Sequence, residues 1–162
     1  MTIWNGDRAN LRRFELPQDV DLVVCYPGPV DYQHFTIWAP RDDGYDRTVT
    51  IPRNNRLTPG ADNLLAAPGL SYWKPRCLFS VARCAGPQDG PGPAWTHRGT
   101  EPIRTAAGRA LFVETPTHGP IIEFPALEPG TWMCGLWTAQ TTEPDGAELD
   151  LYDIRLWPAG PG

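Results

Sequence analysis

Short apolar or alternating runs, each stopped within a few residues by Pro, Gly, Asn or Asp, recur along this chain and constrain its fold more than any other feature. A helix shows its period of 3.6 over ten or more residues, whereas these runs are shorter and mostly repeat every second residue. "VDLVVCY" (Val20–Tyr26) is a strand, stopped by "PGPVD". "HFTIWA" (His34–Ala39) is a second, and "RTVTI" (Arg47–Ile51) a third. "RCLFSVARC" (Arg76–Cys84) puts Cys77, Phe79 and Val81 on one face and Leu78, Ser80 and Ala82 on the other. "RALFVE" (Arg109–Glu114) and "IIEF" (Ile121–Phe124) follow, and Leu11–Leu16 reads as a short first edge strand.

Two strands close the chain. Thr131–Ala139 is apolar on both faces, with Trp132, Cys134 and Leu136 against Met133, Gly135 and Trp137, so it should be central and covered on both sides. Glu148–Trp157 changes phase at Tyr152–Asp153, where a β-bulge would keep both halves facing a core. The best helix candidate is Thr58–Ala67, with Thr58 as cap and Pro59 in the first turn. The expected fold is therefore all-β: a mostly antiparallel sandwich or flattened barrel of about eight or nine strands with at most one short helix.

The 19 prolines and 16 glycines are scattered between the apolar runs and read as frequent turns. They are densest in "AGPQDGPGPAW" (residues 85–95), expected to be a flexible loop. A length of 162 residues suits one domain spanning 1–162. The net charge of −5 and the absence of a basic run argue against nucleic acid, whose phosphates demand a basic face. The start, "MTIWNGDRANLRR", lacks the apolar core of a secretory signal, and no apolar run nears the ~20 residues of a membrane helix. A cytoplasmic protein that does not engage membranes is expected. Cys25, Cys77, Cys84 and Cys134 then read as reduced, buried thiols, with a Cys77–Cys84 bridge as the alternative.

No catalytic constellation emerges. His34, His97 and His118 are too dispersed for a metal motif, and the cysteines form no C-x-x-C pair. Asp42, Asp43 and Asp46 surround Gly44 without the spacing of a calcium loop, and read as a polar turn. Ser71 and Ser80 lie outside any G-x-S-x-G, and thiols inside apolar strands are poor nucleophiles. Neither glycine-rich nucleotide motif is present. No catalytic residue, metal ligand or cofactor is assigned.

Seven tryptophans remain to be explained. Trp38, Trp132 and Trp157 lie among aliphatics within strands and are expected to pack in the core. Trp73, in "LSYWKPR", and Trp95, in "GPAWTHR", adjoin Pro- and Gly-rich loops, each close to a second aromatic or a histidine and to an arginine. That composition suits recognition as well as packing. Trp73, Lys74, Arg76, Trp95, His97 and Arg98 are the candidate partner- or ligand-binding residues.

The order of these segments also carries a resemblance. "LVVCY", "FTIWAP" and "RTVTIP", a long middle, then "PIIEFPALEPGTWMCGLWTA" and "LDLYDIRLW" resemble the bacterial competence protein J type and small actinobacterial β proteins. The resemblance spans mainly residues 20–51 and 119–158; residues 67–105 have no counterpart, and no functional residue is carried over. It implies a β protein that acts by binding a nuclease partner, as an inhibitor or immunity component. The favoured expectation is a non-enzymatic β-sandwich with a protein partner. A small-molecule or carbohydrate binder, or a barrel enzyme using His97 and His118 as bases, is the alternative. A structural subunit of a phage-type assembly is the third.

Overall fold

The computed structural model describes residues 2–4, 8–31, 34–40, 55–59, 63–66, 73–116, 119–125 and 127–160. The expected strand at Arg47–Ile51, the acidic turn of Asp42, Asp43 and Asp46, Ser71 and His118 lie outside them. In chain order the elements are β1 (Thr2–Trp4), α1 (Arg8–Leu11), β2 (Val20–Asp31), β3 (Phe35–Trp38), β4 (Leu57–Pro59), β5 (Asn63–Ala66), β6 (Trp73–Cys84), β7 (Thr96–Thr105), β8 (Leu111–Thr115), β9 (Gly119–Phe124), β10 (Gly130–Thr142) and β11 (Glu148–Pro158). They form two open sheets: six strands ordered β1-β2-β6-β11-β10-β7, and five ordered β4-β5-β3-β8-β9. The fold is a sandwich and not a flattened barrel. Pairing is mostly antiparallel, but β1 runs parallel to β2, and β6 parallel to β11 at the centre of the larger sheet.

The inner core follows from the period of two. Leu22 and Val24 of β2, Phe79 and Val81 of β6, Cys134 and Leu136 of β10, and Tyr152, Ile154 and Leu156 of β11 face Phe35, Ile37, Leu111, Val113 and Phe124 of the smaller sheet. Phe35, Phe79 and Tyr152 meet at centroid separations of 4.8 to 5.2 Å, two contacts edge-on and one stacked. Such pairs add roughly 0.5–1.5 kcal/mol beyond their buried area.

The outward residues of the larger sheet are apolar too. Val23, Cys25, Leu78, Ala82, Trp137, Leu151 and Trp157 form a second cluster with Leu11 and Phe14, which arrive from α1 and the turn after it. The larger sheet is thus covered on both faces, as β10 required. Gly135 belongs to this packing: a Cβ there would sit 2.5 Å from the Trp137 ring, which folds back over the bare backbone.

Several local expectations give way to tertiary demands. Residues 11–16 form no edge strand; Leu11 closes α1, and Phe14 lies one turn on, so both reach the outer face. The helix expected from Thr58 is replaced by β4 and β5, because Leu57, Leu64 and Ala66 are buried between the sheets as strand residues. β2 does not stop at Pro27 but runs to Asp31, with an irregularity at Gly28–Val30. No bulge exists at Tyr152–Asp153: β10 and β11 pair without a shift from Trp132–Pro158 to Thr142–Glu148. A disulfide between Cys77 and Cys84 is excluded by geometry. The two lie seven residues apart on one strand, on opposite faces and roughly 23 Å distant, and all four cysteines are free and buried.

Candidate functional site

The continuous phase of β11 places Leu149, Leu151, Asp153, Arg155 and Trp157 on the outer face. What reads as a phase slip in the sequence is therefore a charged pair at apolar positions. Asp153 is 0% and Arg155 2% exposed. Buried charges persist only when paired and hydrogen-bonded. The Arg155 guanidinium meets both Asp153 oxygens, at 3.3 and 3.1 Å. It also donates to the Glu15 carbonyl at 2.7 Å and to Gln88 Oε1 at 3.2 Å, and lies 5.5 Å from the Trp137 ring centre. Burial pushes the Asp153 carboxyl above its usual range, and Arg155 opposes that rise.

Arg155 thereby ties two covering segments to the sheet. Gln88 in turn bonds Asp19 at 3.1 Å, the Gly86 amide donates to Asp19 at 3.2 Å, and the Gly92 amide donates to Glu15 Oε2 at 2.6 Å. Residues 85–95, expected to be flexible, are held by this network, and they deliver Trp95 onto Phe14 with ring centres 5.8 Å apart. Trp95 is half-buried there. Sequence reasoning missed Asp153 and Arg155; their spacing of two on a strand, which puts them on one face, was the available signal.

His97 and Arg98 are on β7, not in a loop. His97 stacks on its cross-strand neighbour Trp137, at 4.7 Å and 18°, and its Nε2 lies 2.9 Å from Thr100 Oγ1. A register shift opposite Leu136 and Trp137 leaves Arg98 as the extra, bulged residue. Its Nε donates to the buried Thr138 Oγ1 at 2.8 Å. The bulge requires Gly99, whose φ of 136° favours glycine and whose Cβ would meet Leu57 at 3.3 Å. Arg56, Leu57, His97, Arg98, Gly99 and Glu101 then line a pocket of about 280 Å³ between β4 and β7.

Arg76 lies elsewhere. It sits on the outer side of β6, paired with Asp145 of the β10–β11 turn at 2.7 Å, which holds the Asp145 carboxyl below its usual range. It lines a second pocket of about 280 Å³ with Arg13, Gly28, Leu78, Glu143 and Leu149. The backbones of Trp73 and Lys74 pair with Asp31 and Val30 of β2 at the start of β6. β11 and β10 separate Arg76 from His97 and Arg98, a distance on the order of 20 Å. Among the described side chains, Arg76 lines one pocket and His97 and Arg98 another.

Trp38, Trp132, Trp137 and Trp157 are each at most 7% exposed, so none of them offers a sugar-stacking face. Burial pushes the Cys84 and Cys134 thiols up to about 12, so neither supplies a thiolate near neutral pH. Among the described residues, no three His, Cys, Asp or Glu side chains gather as a metal site, and no helix is long and apolar enough to cross a membrane.

No family model matches the chain. No curated protein matches it in sequence. In fold it is similar to ComJ, the inhibitor of the DNA-degrading activity of NucA from Bacillus subtilis, with a TM-score of 0.57 and 10% identity over 81% of this chain and 93% of that one.

Proposed function

We propose that this chain is a non-enzymatic, cytoplasmic bacterial β-sandwich that binds a protein partner as an inhibitor or immunity-type factor. The observation that supports this is the likeness of its two-sheet fold to that of a nuclease inhibitor. A nuclease is accordingly the first partner to test.

The spread of the candidate residues favours a protein over a small ligand. His97 and Arg98 lie about 20 Å from Arg76, beyond the reach of one metabolite or sugar ring. A standard protein interface covers about 800 Å² per partner, a patch roughly 30 Å across, and takes in both groups. Aromatic and arginine side chains held by neighbours, as Trp95 is by Phe14 and Arg76 by Asp145, lose little freedom on binding. Trp73 and Lys74 remain candidate contacts of this proposal on their sequence context alone.

Affinity capture from the native host, followed by size exclusion, tests the reading. A stoichiometric complex whose partner loses activity is expected. A protein that elutes alone, as an inert monomer, removes the main support.

A further inference from the structure

The pocket on the outer face of the larger sheet, beside the β10–β11 turn, is walled by paired charges. Its floor is made by the edges of Leu78 and Leu149, with Pro27 and the bare backbone of Gly28 beside them. One wall is the Arg13–Glu143 pair. Arg13 Nη1 lies 2.6 Å from Oε1, Nη2 donates to Oε2 at 3.0 Å, and the two side chains are only 20% and 19% exposed. This two-pronged bond joins the segment after α1 to the turn after β10. The other wall is Arg76, held by Asp145 at 2.7 Å. The turn that carries both carboxylates is itself closed. The Glu143 amide donates to the Ala147 carbonyl at 2.8 Å, the Gly146 amide to the Glu143 carbonyl at 2.9 Å, and the Ala147 amide to Asp145 Oδ1 at 3.0 Å. The pocket is therefore formed in advance of any binding. Its volume of about 280 Å³ falls below the ~300–1,000 Å³ of ordinary small-molecule sites and suits one inserted side chain. Each of the two guanidiniums already has its carboxylate, so the walls carry no net charge. A charged group entering would give up its hydration and find the opposite charges taken, whereas an aliphatic group gains by leaving water.

We propose that this pocket receives an aliphatic side chain of the protein partner, of the size of leucine or methionine, with the two ion pairs as the water-excluding rim around it. This rests on the protein-binding reading above. It gives Arg76 a defined part in that reading: the methylene stem packs on the guest while Asp145 holds the charged end.

The test uses the full chain alone. The methyl resonances of Leu78 and Leu149, assigned with Leu78→Ile and Leu149→Ile, are followed by NMR during titration with N-acetyl-leucine methylamide. The glutamine, glutamate and lysine analogues are the controls. A saturable shift with the leucine compound, about tenfold tighter than with any control, is expected. Arg76 is half exposed, so Arg76→Ala leaves the core intact; it should weaken binding by about threefold through loss of the stem. No saturable shift, a control that binds as tightly, or an unchanged affinity in the folded Arg76→Ala variant would overturn the proposal. So would a concentration-dependent shift of the same methyls with a doubled mass in the chain alone, which would give the pocket to a second copy. Because no partner is present, a failed titration strikes the pocket and leaves the capture experiment to judge the protein-binding reading.

Discussion

At the scale of the residue, Asp153 and Arg155 show how a pair of charges is disguised in a sequence. Their alternation with Leu149, Leu151 and Trp157 is unbroken, but two polar letters at apolar positions look like a change of phase. Hydrophobic pattern alone cannot distinguish a strand that slips from a strand that buries an ion pair. Removing one partner strands the other in a dry site. Arg155→Met should therefore cost about 3–5 kcal/mol in urea denaturation, whereas the double variant Asp153→Leu/Arg155→Met should recover much of the loss. Equal losses in both variants would show that Arg155 matters only for its bonds to Glu15 and Gln88. The thiols give a second test. With Cys25, Cys77, Cys84 and Cys134 all buried, and Cys84 and Cys134 raised to about 12, Ellman's reagent at pH 8 should label almost none in the native protein and all four after unfolding. Fast labelling of one thiol in the folded state would contradict the packing described here.

At the scale of the element, the strands with strong apolar alternation were readable from sequence, and those shaped by their neighbours were not. β6, β8, β9, β10 and β11 fall where the pattern puts them. β7 carries Gly99 and Pro102 and buries only Ile103 fully, so it reads locally as loop; an edge strand tolerates both breakers because one of its sides makes no ladder. The helix signal at Thr58 is real but short, and two turns cannot outweigh the burial of Leu57, Leu64 and Ala66. The segment 85–95 reads as mobile because its composition says nothing of its hydrogen-bond partners Asp19, Glu15 and Arg155, which are distant in sequence. Gln88→Ala should remove about 1–3 kcal/mol from that local closure. Hydrogen exchange should then accelerate in residues 86–95 while the core strands keep their protection. An unchanged exchange pattern would mean that Trp95 packing alone holds the segment.

At the scale of the molecule, the sandwich was foreseen but its wiring was not. Period-two patterns identify strands and faces without specifying neighbours, so the parallel pairing of β6 with β11 could not be read from the chain. That pairing matters to the candidate site. It sets β11 and β10 between Arg76 and the bulge of β7, so Arg76 and the pair His97 and Arg98 line separate pockets. The most direct test of the account is calorimetric titration of the captured partner with the wild-type chain and with Trp95→Ala/His97→Ala, each first shown to be folded. Stoichiometric binding by the wild type, weakened at least about tenfold in the variant, is predicted. Identical affinities for the two proteins, or no partner to titrate, would contradict it.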